Sequence, residues 1–450
     1  MKIPQTPPNI FNLVTNNGLS AEQLLQLLMR CAATDAKGRY LHWDKLRYLK
    51  PPAGLTAQEH WLGSKMARWA LFKALPLLDK RQQPFKLALP EPVLRMLHQI
   101  EEEAKQFHGQ SVRVKAVRDQ YLVQSLVEEA ISSSQLEGAK TSRQQAQRML
   151  HQGRAPHNLD EQMIVNNYEA MHFVRSQQDE SLTPQMILEL HRIATEKTLD
   201  DASAAGRLRT EKDHMQVISQ RAQEILHTPP AADELPARLQ GLCDFANQPS
   251  TDFFIHPIIK AILLHFMLAY DHPFVDGNGR IARALFYWAM IRHGYWFSQF
   301  ISISQIIKQA PVQYGRAFLW TETDDNDTTY FIIHQLDVIQ KAIEQLKADL
   351  SRNRQELAQV EQLLEESTLA HQLNYRQLNL LKHALNHPNS TYTIKEHQTT
   401  HRISYQTARM DLLNMENELG LLHKRKIGKS FVFVAPTDLK ERIRSRGGYL

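Results

Sequence analysis

Apolar side chains recur at spacings of three and four residues along most of the chain, and alternating strand patterns are almost absent. In the first half, this periodicity predicts helices from Glu91 onward and over Lys115–Leu150, Asp160–Ser176, Thr183–Glu196 and Glu234–Gln248. Earlier helices are expected from Ser20 and toward Arg68. The pattern therefore predicts a mainly α-helical protein.

The most apolar segments lie in the middle of the chain and enclose a polar loop. A helix starting at Pro257 is apolar nearly all round, which is typical of a central buried helix. A second apolar helix runs from Ile281 to about Gly294. The residues between them, His272–Arg280, are strongly polar. A polar loop between two core helices indicates a site supported by a core.

Three stretches depart from the helical rhythm. Residues 1–20 are rich in proline and asparagine, which predicts an irregular arm, and Pro84–Pro90 predicts a break. Between Gly206 and Pro230, short extended runs closed by prolines predict a hairpin or flap.

A heptad seam follows the central helices, after short helices predicted at Tyr314–Trp320 and Tyr330–Leu336. Its apolar positions are Ile339, Ile343, Leu346, Leu350, Leu357, Val360 and Leu364, with Asn353 as the polar member. Such a seam fits a stripe packed on the protein's own core, and it fits a coiled coil with a second chain equally well.

The C-terminal stretch predicts three capped helices followed by a hairpin. Asn374, Thr393 and Ser404 stand at cap positions, and the strand-like runs are Leu421–Lys426 and Ser430–Ala435. This is the layout of a winged helix-turn-helix. The hairpin side chains suited to phosphate contacts are His423, Lys424, Arg425, Lys426 and Lys429. Winged helices also contact proteins, so DNA and protein partners both stay open.

The length of 450 residues exceeds one compact core, so more than one domain is expected. We predict an N-terminal helical region over 1–110, a central domain over 111–340, a linker helix over 341–368 and a winged helix domain over 369–450. These are boundaries drawn from pattern alone.

Composition narrows the class of protein. A hydrophobic share of 42% with 22% charged residues is ordinary for a soluble globular chain. A net charge of +5 does not by itself argue for nucleic-acid binding. Cys31 and Cys243 form no metal motif and fit a reducing compartment. Neither a signal peptide nor a span is apparent, so we expect a cytoplasmic protein with no membrane partner.

The central loop combines groups that handle phosphate. His272 can act as a base, and Asp276 is a hard oxygen ligand for Mg²⁺. Gly277 and Gly279 let the backbone approach an anion at a helix N-terminus. The remaining polar groups are Asn278, which can orient toward a phosphate oxygen, and the guanidinium pair Arg280 and Arg283. Together they suit transfer of a phosphate-containing group to a hydroxyl.

At this loop the chain resembles the Fic family. Residues 272–280 read HPFVDGNGR, which fits the family motif HPFx(D/E)GN(G/K)R, and Arg283 matches its second arginine. The resemblance covers roughly residues 115–340 and implies an all-α Fic core with a short β-hairpin flap that aligns the target segment by strand-like pairing. It implies ATP and Mg²⁺, with AMP transferred to a Ser, Thr or Tyr hydroxyl of a target protein.

The resemblance also implies roles for the motif residues. His272 would deprotonate the hydroxyl, Asp276 would hold Mg²⁺, and Phe274 would anchor the core. The nucleotide phosphates would be bound by Gly277, Asn278, Gly279, Arg280 and Arg283. A branch with a different activity has Lys at the position of Gly279, so glycine favours nucleotidyl transfer over phosphorylation. Tyr314 is a candidate stacking partner for the base. Asp271 would either alter the basicity of His272 or face solvent.

A second motif lies upstream, at Ser133–Gly138. Alone, a serine run ending in glycine is typical of a helix cap and stop. Next to the Fic motif it resembles the family's inhibitory segment, (S/T)xxxE(G/N), of the class that carries it on an N-terminal helix. The resemblance implies that Glu137 pairs with Arg283 and blocks productive placement of ATP, with Ser133 and Gly138 completing the segment.

The sequence therefore predicts an autoinhibited protein adenylyltransferase that modifies a target protein, with modification of itself left open. Two alternatives remain: an enzyme that removes AMP using the same site, and a DNA-binding regulator whose Fic domain senses nucleotide. A homodimer is also left open.

Overall fold

The computed structural model of the chain describes residues 2–16, 18–110, 115–218, 224–248, 253–365, 369, 372–427 and 430–445. Its helices are α1 Ile10–Asn16, α2 Ala21–Arg30, α3 Trp43–Leu46, α4 Ala57–Trp69, α5 Glu91–Gln110, α6 Lys115–Leu136, α7 Arg143–Gln152, α8 Leu159–Ser176, α9 Pro184–Thr195, α10 Leu235–Asn247, α11 Pro257–Asp271, α12 Asn278–Arg292, α13 Ile303–Gln309, α14 Pro311–Thr323, α15 Thr329–Glu365, α16 Tyr375–Asn386, α17 Ile394–His401, α18 Tyr405–Leu413 and α19 Leu439–Ser445. Its strands are β1 Lys73–Leu78, β2 Pro84–Leu87, β3 Val217–Ile218, β4 Ile225–His227, β5 Thr391–Tyr392, β6 His423–Ile427 and β7 Ser430–Val434.

The mainly α-helical class predicted from the apolar spacing is confirmed, and so are five of the predicted helix starts. Ser20, Thr183, Asn374, Thr393 and Ser404 each accept a hydrogen bond from a backbone N–H in the first turn of the following helix. Such caps satisfy N–H groups that have no partner inside the helix, which is why these positions could be found from sequence.

Two predicted irregular stretches contain regular structure. Residues 10–16 form α1 with Ile10 and Leu13 buried, and the Asn9 side chain accepts a hydrogen bond from Asn12 N. The predicted break at Pro84–Pro90 holds β2, which pairs antiparallel with β1 and buries Phe85 and Leu87 completely. A four-residue strand that begins with proline gives too short an alternation to recognise.

One continuous helix, α15, contains the predicted helix Tyr330–Leu336 and the predicted linker as far as Glu365, and residues 366–368 lie outside the described residues. In its heptad seam, Ile343 and Val360 are buried within this chain. Asn353 donates to the Tyr121 hydroxyl and accepts from the Lys382 ammonium. Because the chain itself satisfies this polar seam position, the seam fits a stripe packed on the protein's own elements.

The described residues divide into two compact units. The first holds Met1–Gln106, Glu129–Lys140 and Asn158–Ala342, and the second holds Phe107–Glu128, Thr141–His157 and Ile343–Leu450. Helix α6 contributes residues to both. The four predicted domain boundaries stay a prediction.

In the first unit, α11 and α12 form the centre. Residues 258–268 and 280–291 are buried throughout, as the all-round apolar pattern predicted. The loop between these helices is therefore held at both ends by the core. Within the parts of the chain that the structure describes, no helix combines the length and apolar character needed to cross a membrane.

In the second unit, the C-terminal region has the predicted three helices and hairpin. The hairpin strands β6 and β7 are joined by β5, giving a three-stranded antiparallel sheet in the order β5–β7–β6. Strand β5 was missed because it has only two residues. The third helix, α18, ends at Leu413, and a π-helical turn follows over Asn414–Glu418.

A buried ion pair ties α4 to the turn before α15. Lys65 Nζ lies 2.5 Å from Asp324 Oδ1, and the two side chains are 1% and 2% exposed. Removing one partner leaves the other charge buried and less well paired, which typically costs several kcal/mol.

We expect Lys65→Ala to lower the free energy of unfolding by about 3 kcal/mol, because it removes the ammonium partner of the buried Asp324 carboxylate. Urea denaturation followed by far-UV circular dichroism measures this change. The matched control is Lys73→Ala, whose side chain is exposed, and it should change stability by less than about 0.5 kcal/mol. Equal effects of the two substitutions would contradict the structural role of the pair.

Candidate active site

The loop between α11 and α12 turns through two left-handed residues. His272 has φ 45°, which is uncommon for a side chain with a Cβ, and Gly277 has φ 81°. Strained conformations of this kind persist only where the surroundings impose them. Here Arg209 does so: its guanidinium donates to His272 O at 2.8 Å and its backbone N–H donates to Pro273 O at 2.9 Å.

Asn278 and Phe274 fix the interior of the loop. The Asn278 amide donates to Phe274 O at 2.8 Å and accepts from Phe274 N at 2.9 Å, and the Phe274 ring is fully buried as predicted. The Asn278 side chain is thus committed to the loop itself. Its predicted contribution to anion binding would come through the backbone N–H at the start of α12.

His191 is a positioning residue that the sequence did not reveal. Its Nε2–H donates to Asp276 O at 3.1 Å, and its Nδ1 accepts from Gly206 N at 3.0 Å. The ring stacks on Phe274 with centroids 3.8 Å apart. Burial lowers its pKa to about 4, so the imidazole is neutral and keeps the tautomer that both bonds require. It joins the loop to the chain that leads into the flap.

The tautomer and the pKa of the His272 ring suit it to accept a proton. Its Nδ1 lies 3.2 Å from Ala269 O, and because a carbonyl only accepts, Nδ1 carries the hydrogen and Nε2 carries the lone pair. Burial lowers the pKa of His272, although the Ala269 carbonyl and the Glu137 carboxylate oppose that shift. The ring is therefore largely neutral at pH 7, as a general base requires.

Asp271 does not face solvent, which was one of the two roles considered for it. Its carboxylate is buried and lies 2.7 Å from Arg238 Nη2. Burial raises its pKa to about 6, and the Arg238 guanidinium limits the rise. The side chain thus neither faces solvent nor bonds to the His272 ring; it fastens the end of α11 to α10.

Asp276 and Arg280 are neighbours across one turn. Arg280 Nη2 lies 3.1 Å from Asp276 Oδ2, and Arg280 Nη1 donates to Ala194 O at 2.6 Å. Arg280 is fully buried, whereas the Asp276 side chain is 48% exposed. A half-exposed single carboxylate beside an anion site fits Mg²⁺, which usually takes one or two carboxylates and completes its shell with water and substrate phosphates.

The residues of the upstream motif lie on Arg283. Glu137 Oε1 accepts from Arg283 Nη2 at 2.7 Å, and Ser133 Oγ accepts from Arg283 Nε at 2.9 Å. The Arg283 side chain is 2% exposed and that of Glu137 is 25% exposed. Gly138 has φ 106° directly after Glu137 and ends the helical segment. The sequence predicted this pairing, and the structure brings the groups together across 146 residues.

Gly279 makes room for the Glu137 carboxylate. A Cβ at this position would overlap Glu137 Oε1 and would lie 3.0 Å from Arg283 Nη1. The carboxylate therefore rests against the first turn of α12, where backbone N–H groups and the helix dipole favour an anion. The Glu137 carboxylate thus occupies the position at which the sequence predicted a bound phosphate.

Helices α6 and α12 meet in an antiparallel ladder of contacts. Glu129 accepts from the Tyr287 hydroxyl at 2.8 Å, Ser133 pairs with Arg283, and Glu137 lies over Gly279. Each step is four residues on both helices, which is the spacing of one helix face. Glu129 also accepts from Ser302 Oγ at 2.7 Å and is 2% exposed. The buried end of the ladder thus anchors α6, and its exposed end carries Glu137.

The charges of this pair stabilise each other. Burial alone would raise the pKa of Glu137, but Arg283, aided by Arg280, lowers it below the ordinary value. Burial would likewise lower the pKa of Arg283, and Glu137 raises it. Since the carboxylate pKa is lowered, the ion pair is complete above the ordinary carboxylate range and is lost only in acid.

Tyr314 lies beside this pair. Its hydroxyl is 2.8 Å from His265 Nε2, and Arg283 opposes the rise that burial gives its pKa. Its predicted stacking on a nucleotide base stays a prediction.

The predicted flap is confirmed as a hairpin of β3 and β4, with residues 219–223 outside the described part of the chain. His227 in β4 fastens it to the core: Nε2 donates to Tyr270 O at 2.7 Å, and Nδ1 lies 2.8 Å from Glu322 Oε2. Ile218 and Ile225 are exposed on the hairpin. The described part of the flap thus exposes two apolar side chains near the end of α11.

We predict that the pKa of His272 lies below 6.5 and that Glu137→Gln lowers it further, because the carboxylate favours the imidazolium form. An NMR pH titration of the imidazole nitrogens measures both values. The control is Glu128→Gln, on the same helix but paired with Arg143, which should leave the pKa of His272 unchanged. A higher His272 pKa in the Glu137 variant would contradict the geometry.

Comparison with known proteins agrees with this arrangement. Residues 181–290 match the Fic/DOC family model. The chain is 27% identical over 223 residues to the protein adenylyltransferase fic-1 of Caenorhabditis elegans, covering 49% of this chain and 41% of that protein. It is 34% identical over 142 residues to the protein adenylyltransferase Fic of Nematostella vectensis, covering 30% of each chain. The chain thus spans less than half the length of these relatives.

Solved structures that resemble the chain include a Fic family protein from Desulfovibrio desulfuricans, at 16% identity and a TM-score of 0.48, covering 78% of this chain and 97% of that one. Another is Fic-1 of C. elegans, at 22% identity and a TM-score of 0.46, covering 56% of this chain and 71% of that one. The match to the family model includes the whole loop from His272 to Arg283 and the helices on either side. Residues 181–290 of this chain therefore match the Fic/DOC family.

Proposed function

We propose that this protein is an autoinhibited protein adenylyltransferase, which moves AMP from ATP to a hydroxyl side chain of a target protein. The observation that carries the proposal is the Glu137 carboxylate on Arg283 beside the first turn of α12. A cationic, amide-lined site next to a neutral imidazole suits a nucleoside triphosphate, and here it is covered by the chain's own anion. The names of the relatives support the same activity.

In the proposed reaction the target hydroxyl oxygen attacks the α-phosphorus of ATP. The bond from that phosphorus to the oxygen bridging the α- and β-phosphates breaks, and pyrophosphate leaves. His272 Nε2 takes the hydroxyl proton, which its tautomer allows. The product is a phosphodiester that links AMP to the target side chain.

The other loop groups hold the triphosphate in place. Backbone N–H groups at Gly277, Asn278 and Gly279 face an anion at the start of α12, and Arg283 holds the terminal phosphate. Arg280 adds positive charge while it positions Asp276. Asp276 would hold Mg²⁺, which when bound neutralises phosphate charge.

The same geometry accounts for inhibition. The Arg283 guanidinium cannot pair with Glu137 and with the terminal phosphate in the same place, so the carboxylate excludes productive ATP binding. The ladder from Glu129 keeps α6 docked, which leaves the last turn and the Glu137 side chain as the part that moves on activation.

The first test uses ATP labelled in the α-phosphate, with Mg²⁺ and the full chain. We expect Glu137→Gly to increase self-labelling by at least about tenfold, because Arg283 becomes available for phosphate. Adding His272→Ala to that variant should abolish labelling. Labelling that survives in the double variant would contradict the assignment of His272 as base.

A matched control separates loss of the carboxylate from loosening of the helix end. Gln135→Gly introduces the same residue one half-turn earlier and keeps Glu137 on Arg283, so it should leave labelling near the wild-type level. If Gln135→Gly activates as strongly as Glu137→Gly, blockage by the carboxylate is wrong. If Glu137→Gly instead stops release of AMP from a pre-modified protein, the site removes AMP and the transferase proposal fails.

The pH dependence of the activated variant provides a further test. Because the pKa of His272 is lowered below 6.5, the base is neutral above that range. We expect kcat/KM of Glu137→Gly to be level between about pH 7 and 8 and to fall tenfold per pH unit on the acid side. A rise in rate on acidification would contradict a neutral imidazole base.

A further inference from the structure

The C-terminal part of the second unit carries a concentration of positive charge that the proposed transferase does not use. Residues 374–450 hold thirteen Lys and Arg against six Asp and Glu, a formal net charge of +7, although the whole chain carries only +5. Residues 1–373 are therefore slightly acidic. A basic domain on a nearly neutral chain points to an anionic partner.

The fold of this region places two helices in the arrangement of a helix-turn-helix. α17 ends at His401, Arg402 turns the chain in a left-handed conformation with φ 48°, and Ser404 caps α18. The hairpin β6–β7 then follows as a wing. In DNA-binding proteins of this type, the second helix enters the major groove and flanking elements contact phosphate.

The second helix presents a defined outer face. Ala408 and Leu412 are buried in the core, whereas the exposed side chains of α18 are Tyr405, Gln406, Arg409 and Met410. These include the guanidinium and amide groups that read base edges. Because its buried residues hold α18 against the core, the exposed face of the helix has a fixed position.

An internal charge network removes the acid of α18 from that face. Asp411 is buried, and its Oδ2 lies 2.7 Å from Arg376 Nε and 3.0 Å from His397 Nε2. These partners hold the pKa of Asp411 far below its usual range, although burial alone would raise it. The carboxylate therefore anchors α18 to α16 and α17 and does not repel phosphate from the outer face.

The wing supplies phosphate-binding groups. His423, Lys424, Arg425 and Lys426 are consecutive in β6 and all are exposed. Lys424 Nζ lies 4.6 Å from the Phe431 ring centroid, which positions its ammonium on the neighbouring strand. Because successive side chains of a strand point to opposite faces, cations project on both sides of the wing. Such a ribbon fits the two phosphate backbones beside a groove.

We propose that α18 and the β6–β7 wing form a duplex-DNA-binding surface, with α18 reading base edges and the wing contacting phosphate. A protein partner would also accept a basic surface, but an amide and a guanidinium on a capped second helix beside a cationic wing fit duplex DNA better. The proposal is independent of the transferase activity, since it uses none of the loop residues.

The test measures binding of the full chain to a fluorescein-labelled duplex of mixed sequence by anisotropy, between 50 and 200 mM KCl. We expect affinity to fall steeply with salt, because bound cations displace counterions from phosphate. The variant Lys424→Ala/Arg425→Ala/Lys426→Ala should bind at least about tenfold more weakly, with the salt slope reduced by roughly 3. These side chains are exposed, so unchanged circular dichroism should verify that the domain is folded.

The matched control removes three exposed charges elsewhere, Lys37→Ala/Lys50→Ala/Lys197→Ala, and should bind as the wild type does. Arg409→Ala should flatten the sequence preference found by selection from random duplexes. Equal weakening in the two triple variants would show general charge attraction and overturn the proposal. It is also overturned if the wing variant binds normally, or if the wild type shows no salt-dependent binding to duplex.

Discussion

The arrangement of the candidate active site depends on one ion pair, between the Glu137 carboxylate and the Arg283 guanidinium. Arg283 is almost fully buried, so a charge of this kind needs a partner in every state of the protein. Glu137 is that partner here, and a phosphate would be the alternative. In the proposed function, binding of ATP and release of inhibition are therefore two outcomes of one competition for the Arg283 guanidinium. Gly279 leaves room for the carboxylate, because a Cβ at this position would overlap Glu137 Oε1.

The surrounding structure fixes the positions of the loop, of Arg283 and of Glu137. α11 and α12 are buried on nearly all faces, so the loop between them cannot move freely. Arg209, His191 and Asn278 each bind loop backbone and hold His272 and Asp276 in place. Glu129, in α6, accepts a hydrogen bond from the Tyr287 hydroxyl and so holds α6 against α12. Glu137 follows directly after α6, and in the proposed function it is the inhibitory carboxylate.

Much of this could be predicted from the sequence. The residues from His272 to Arg283 form a contiguous motif, and Ser133 and Glu137 have the spacing of one helix face. Helix starts were also found, because a cap is a local interaction. The roles of Asp271 and of the Asn278 side chain could not be predicted from the sequence. Their partners, Arg238 and the Phe274 backbone, are identified only in the folded chain. His191 and Arg209 were missed because they bind backbone carbonyls and amides. Every residue has such groups, so the sequence does not indicate which of them a side chain will bind.

The central claim is that Glu137 and the terminal phosphate of ATP exclude each other on Arg283. Calorimetric titration with ATP and with ADP tests it most directly, in a His272→Ala background that prevents transfer. The account predicts that Glu137→Gln raises the ratio of ATP to ADP affinity by at least about tenfold. It also predicts that this gain disappears when Arg283→Ala is added, because the two residues act through one contact. An unchanged ratio, or a gain that survives loss of Arg283, would contradict the account.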